Sequence, residues 1–132
     1  MVYSVGCIGE VIMNRYSYKN LNVYQDAKMF VVAVYKLLDS FPDTEKFALC
    51  NQIRRAAISV TSNIAEGVSR ISNKEKIHFL EIAYASLMEV DSQLDVSIEL
   101  GYITIEQYNI IEEFVVCVSK QLSSLRNKYQ EK

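Results

Sequence analysis

The feature that most limits how this chain can fold is the recurrence of apolar residues in steps of three and four. It runs through four successive stretches with only short turn-forming segments between them. The clearest is the last, where Tyr108, Ile111, Val115, Val118, Leu122, Leu125 and Tyr129 follow one another without a break. That spacing puts a continuous apolar seam on one helix face, as bundle packing requires. An earlier stretch, Asn22 to Ser40, carries Tyr24, Ala27, Val31, Val34 and Leu38 in the same rhythm. Phe41-Pro42-Asp43 ends it, and Pro42 with Asp43 or Thr44 as cap is expected to open a second helix reaching Ser69. Ser72-Asn73-Lys74-Glu75 fits a capping box, in which hydroxyl and carboxylate each satisfy an orphan amide, so a third helix is expected from Asn73 to Gly101. Thr104 with Gln107 repeats the device ahead of the fourth. No stretch alternates apolar and polar residues with turn pairs at strand spacing. The fold predicted is all-α, an antiparallel up-down-up-down four-helix bundle, and 132 residues of which half are apolar suffice for its single core.

The bundle domain is expected over residues 21–132, preceded by a variable or disordered N-terminal extension over residues 1–20. Met1 to Met13 has no helical period and holds two glycines, and Met13-Asn14-Arg15 reads as a second possible translation start. Three widely spaced cysteines, Cys7, Cys50 and Cys117, form no CxxC pair and suggest neither a disulfide framework nor a zinc site. Cys50 and Cys117 fall on apolar helical positions, where a buried thiol is the default. With no apolar run long enough to span a bilayer, a cytoplasmic location is expected.

Two helices carry more pattern than one bundle uses. The third has one stripe of Ile77, Leu80, Tyr84, Leu87, Asp91, Leu94 and Ile98, and a second of Phe79, Ile82, Ser86, Glu89, Gln93, Val96 and Leu100. Two such faces point to burial on two sides. In the second helix, Cys50, Ile53, Ala57, Val60, Ile64 and Val68 form the core-facing edge, and opposite lies a row of Gln52, Arg55, Ser59, Ser62 and Glu66. Serines weaken a helix and do little for solubility, but small hydroxyls let another surface approach. The row is therefore expected to meet the second stripe of helix three in a neighbouring subunit, with Arg54 or Arg55 pairing Glu89 or Asp91 and Gln93 completing the hydrogen bonds.

Gln52-Ile53-Arg54-Arg55-Ala56-Ala57, Asn63-Ile64-Ala65-Glu66-Gly67, Arg70, Phe79-Leu80, Ser86-Leu87, Glu89, Gln93-Leu94 and Leu100-Gly101-Tyr102 together resemble the bacterial 23S ribosomal RNA intervening-sequence proteins. The resemblance covers Leu21 to Tyr129. It implies a non-enzymatic four-helix bundle that assembles into a homopentameric ring. The accessory proteins of diversity-generating retroelements are similar, which implies nucleic acid and a reverse transcriptase or other protein as partners.

The formal net charge of -2 does not describe a basic protein, yet its distribution is polar. In the predicted topology one end collects Arg15, Lys19, Arg70, Lys74, Lys76, Arg126, Lys128 and Lys132 against Glu66, Glu75 and Glu131. The other holds Asp39, Asp43, Glu45, Asp95, Glu99 and Glu106 against Lys36 and Lys46, and no Lys or Arg occurs from Ile77 through Ser119. A ring would align the basic ends into a rim able to hold a phosphate backbone, so Arg70, Lys74, Lys76, Arg126 and Lys128 are the candidate contacts to structured RNA or other nucleic acid. No aromatic residue interleaves with Arg70, Lys74 and Lys76 along the chain, so base stacking is not expected. The alternative is a protein-only scaffold or adaptor whose acidic face docks another protein. An enzyme is not expected: Glu75-Lys76-Ile77-His78 has the spacing of paired metal ligands, but His78 is the only histidine, and a di-iron bundle needs that motif twice. No metal, cofactor or catalytic residue is assigned.

Overall fold

The computed structural model describes residues 17–131 and contains four α-helices: α1, Asn22–Leu38; α2, Leu49–Val68; α3, Asn73–Glu99; and α4, Ile105–Gln130. No strand occurs among the described residues. Each helix packs against two others in cyclic order, α1 on α2 and α4, and α3 on α2 and α4. The readings made for Met1 to Met13 lie outside the described residues. Ser17–Asn20, placed by sequence in the extension, forms a short 3₁₀ helix that touches α1 and α2, with Tyr18 edge-on to Tyr24 at 4.9 Å.

The apolar seams of α1 and α4 lie where their spacing puts them. Ala27, Val31, Val34 and Leu38 are buried with Val23 and Phe30, and Ile111, Val115, Val118 and Leu122 face the same interior. Helix α3 departs from its pattern. Its buried line is Leu80, Ala83, Leu87, Val90, Leu94 and Ser97, alternating steps of three and four, with Ser86 beside it. This line runs between the two expected stripes, because Ala83 and Ser97, which flank Val90 along it, are too small to stand out in a count of large apolar residues. Their size lets α2 come close, and α2 answers with Ala56, Ala57, Val60 and Gly67. A Cβ on Gly67 would meet Phe79 Cβ at 3.0 Å and the Lys76 carbonyl at 3.2 Å, so glycine lets the helices approach here without crowding. Gly67 is thus buried where Val68 was expected to be, and Val68 is only partly covered.

The helix ends show why each element starts and stops. Thr104 and Gln107 make the full reciprocal box. The box at Ser72 is half made: its hydroxyl accepts from the Glu75 amide at 3.1 Å, but the Glu75 carboxylate turns to Arg70 at 3.6 Å. Helix α3 ends in a Schellman turn, with Gly101 at φ 79° and the Tyr102 and Gly101 amides donating to the Ser97 and Ile98 carbonyls at 3.0 and 2.9 Å. The second helix does not begin at Pro42. Pro42 leads a 3₁₀ turn, Asp43–Glu45, and α2 starts only at Leu49. Ala48 precedes it without a capping side chain, and Glu45 takes that role by accepting the Leu49 amide at 3.4 Å. Its other oxygen accepts from the Tyr102 hydroxyl at 2.7 Å, and Tyr102 packs on Phe41 at 5.4 Å, so the first and third connections are tied together.

Candidate nucleic-acid interface

The short connection after α2 and the last turns of α4 bring the predicted basic residues to one end of the molecule. Arg70, just beyond α2, pairs with Glu66 one turn back and with Glu75, and its guanidinium lies 4.7 Å from the centre of the Phe79 ring. Lys76, in the first turn of α3, donates to the Val68 carbonyl at 3.2 Å, which satisfies an open acceptor at the C-terminus of α2. Its ammonium also stands 5.2 Å from the Tyr129 ring centre on α4. Arg126 donates to Glu81 at 3.2 Å across the α3–α4 seam. Lys74 and Lys128 are exposed and have no hydrogen-bond or ion-pair partner among the described residues. The five candidates therefore divide: Arg70, Lys76 and Arg126 are held in place by carboxylates, a carbonyl and aromatic faces, while Lys74 and Lys128 extend from the rim.

The aromatic rings are what linear reading missed at this end. Phe79 lies one turn after Lys76 on the same helix, and Tyr129 comes from a helix more than fifty residues away. Spacing could have flagged the first; only packing brings in the second. Tyr84, with Leu80, Glu81, Leu122, Ser123 and Arg126, lines a groove of about 310 Å³ between α3 and α4. Along the chain no aromatic residue interleaves with Arg70, Lys74 and Lys76, yet folding sets Phe79 against Arg70 and Tyr129 against Lys76.

The predicted polar network separates into distinct places. Ser59 meets Ser86 at 2.9 Å within the same chain, and Asn63 donates to the Ser59 hydroxyl and carbonyl at 2.9 and 2.8 Å. The middle of the serine row thus meets its own third helix, with Ser59 bonded to Ser86 within the chain. Arg55 and Glu89 flank an open groove at this seam, lined also by Gln52, Ala56, Ser59 and Ser86. Arg54 instead donates to the Lys46 carbonyl at 3.4 Å, Glu66 is engaged by Arg70, and Gln93 donates to Glu89 at 3.3 Å.

Asp91 turns the other way, to the α3–α4 seam, where it accepts from the Tyr108 hydroxyl at 2.9 Å. Glu112 joins it there. Its hydrogen bond with Asp91, its burial and the Asp91 charge push its carboxyl up to about 7, and Asp95 adds to the effect. Oε1 of Glu112 is buried without a donor among the described residues, a position that favours the protonated carboxyl. Burial first, and then the bond to Asp91, raise the Tyr108 hydroxyl far above its ordinary range. On the α1–α4 side, Gln121 donates to Asp26 at 2.7 Å beside the exposed thiol of Cys117, which departs from the burial expected of it; Cys50 is buried. His78 is exposed, its partner in the metal-like spacing, Glu75, faces Arg70, and no group of three or more metal-ligating side chains gathers among the described residues. No helix among them is long and apolar enough to cross a membrane.

Comparison with known proteins relates the chain to one family and to solved structures. The family model described as 23S rRNA-intervening sequence protein matches residues 19–124. A crystal structure of a protein of unknown function from the S23 ribosomal protein family of Bacteroides thetaiotaomicron VPI-5482 is similar, with 30% sequence identity and a TM-score of 0.71 over 79% of this chain and 97% of that one. No curated protein matches.

Proposed function

The chain belongs to the 23S rRNA-intervening sequence protein family, and on that premise we propose that it is a non-enzymatic, homopentameric scaffold that binds structured RNA through its basic end. The observation that carries this reading is the convergence of Arg70, Lys76 and Arg126 at one end, with Lys74 and Lys128 extending beside them. In this reading successive helices run antiparallel. The closeness of Lys76, at the start of α3, to Tyr129, at the end of α4, supports that sense. A closed ring repeats the basic end around one rim, so a chain of net charge -2 still presents a cationic surface to phosphates. The groove flanked by Arg55 and Glu89 supports self-association, since it offers opposite charges to a second copy.

The test is fluorescence anisotropy with a labelled structured RNA hairpin at two salt concentrations, comparing the wild type with the triple variant Arg70→Glu, Lys74→Glu, Lys76→Glu. Even about three phosphate contacts in the whole complex predict binding roughly 40-fold weaker after a fourfold rise in salt, and the variant is expected to lose binding. No binding by the intact oligomer at low salt overturns the RNA reading. Co-purification of a basic protein that survives nuclease would then favour an adaptor acting through the segment from Ile77 to Ser119, which has no Lys or Arg.

A further inference from the structure

The basic end borders a groove whose lining suits more than a phosphate. Leu80 and Leu122, each 1% exposed, lie at its bottom, while Tyr84 is 39% exposed and presents an aromatic side chain to the opening. Ser123, Glu81 and Arg126 complete the lining. At about 310 Å³ it lies at the small end of ligand clefts, and its combination of apolar bottom, one ring and convergent polar groups is that of a small-ligand site.

We infer that this groove takes one unpaired nucleotide of the bound RNA, with Tyr84 stacking the base, Arg126 contacting its phosphate and Glu81 accepting from an exocyclic amino group. The inference rests on the RNA reading above and adds to it a preference for single-stranded loops over duplex. Base-on-ring stacking is the usual means by which unpaired bases are held, because every base offers a flat face. Arg126 suits the phosphate because it is incompletely satisfied in the free protein: its terminal nitrogen bonds Glu81, but its buried Nε has no acceptor. Turning toward an anion would therefore relieve an unmet donor. Glu81 sets the limit on what can enter. A carboxylate repels phosphate and carbonyl oxygen but accepts readily from an amino group, as acidic side chains do from cytosine N4. The groove thus selects an amino-bearing base, with cytosine fitting and uracil, which has only carbonyls at these positions, disfavoured.

The experiment uses the full-length protein and anisotropy at constant low salt, with three labelled RNAs sharing one stem: a cytidine loop, a uridine loop and a blunt duplex. The cytidine hairpin is expected to bind about fivefold or more tightly than the duplex, with the uridine hairpin between them. Tyr84→Leu keeps the apolar contacts and removes the ring, so the hairpin-to-duplex ratio should fall toward one while circular dichroism reports an unchanged helical content. Equal binding of cytidine hairpin and duplex, or a hairpin preference that survives Tyr84→Leu, overturns the stacking site. Equal binding of the two loops overturns the role given to Glu81. Absence of binding to all three RNAs fails the RNA reading itself, which separates that failure from failure of the groove.

Discussion

At the scale of single residues, the side chains that decide most are those whose surroundings oppose their usual behaviour. Glu112 is one. Its folded carboxyl is pushed up to about 7 from an ordinary 4.5, so the folded protein holds this proton more tightly than the unfolded chain does. The stabilisation is complete below the unfolded value and is lost as pH rises through about 7. Glu112→Gln places an amide donor opposite Asp91 without a titrating proton. Because the site is partly solvated, a difference of about 1 kcal/mol is the appropriate scale, or about 4 °C in melting temperature. The variant should match the wild type at pH 4 and melt higher at pH 8; parallel melting across that range would refute the raised carboxyl. Gly67 is the second case. Alanine favours a helix over glycine by about 1 kcal/mol, yet its Cβ would press on Phe79 Cβ and the Lys76 carbonyl. Overpacking of this kind costs about 1 to 3 kcal/mol, so Gly67→Ala should lower the midpoint of chemical denaturation. A rise in that midpoint would mean the α2–α3 contact yields easily.

At the scale of elements, the connections set the architecture and the small residues set its fine geometry. The seams of α1 and α4 were legible because Val, Ile, Leu and Phe mark a helix face by themselves. The seam of α3 was not, because Ala83 and Ser97 on either side of Val90 contribute through closeness, which no hydropathy pattern records. The start of α2 was misplaced for a related reason: Pro42 and Asp43 announce a helical turn, and that turn is 3₁₀ and ends before Leu49. The cations of the candidate site were legible, but the rings beside Lys76 and in the Arg126 groove come from packing between helices. Where signal and structure agree, at Gly101, a firm expectation follows. Nothing lies within 4 Å of a Cβ built there, so the φ of 79° alone makes substitution costly. Gly101→Ala should destabilise by about 1 to 2 kcal/mol in urea unfolding, and Gly101→Asn should recover part of it, since asparagine tolerates the left-handed region. Equal stability of the alanine variant and the wild type would show that the Schellman turn contributes nothing.

At the scale of the whole molecule, charge polarity and assembly depend on one another. Glu66, Glu75 and Glu81 already hold Arg70 and Arg126, so a lone subunit offers few uncommitted cations at its basic end. The proposed ring would change this, because Lys74 and Lys128 would recur in every copy and their fields would add within a Debye length of about 10 Å at moderate salt. The α2–α3 groove is where the proposed assembly can be tested, since among the described residues Arg55 is exposed there without a partner and Glu89 is bonded only by Gln93. Arg55→Glu sets two acidic groups against each other across the groove and should be tolerated by the isolated fold, as Arg55 contributes no core contact. Light scattering should give the wild type a mass several times 15.1 kDa and shift the variant toward 15.1 kDa. Salt-sensitive RNA binding should weaken with it, although Arg55 lies away from the basic residues at the α2–α3 turn. A variant that keeps both its mass and its affinity would remove this groove from the interface, whereas one that loses mass but keeps affinity would show that a single subunit's cations suffice. Only the joint loss ties the rim to the ring.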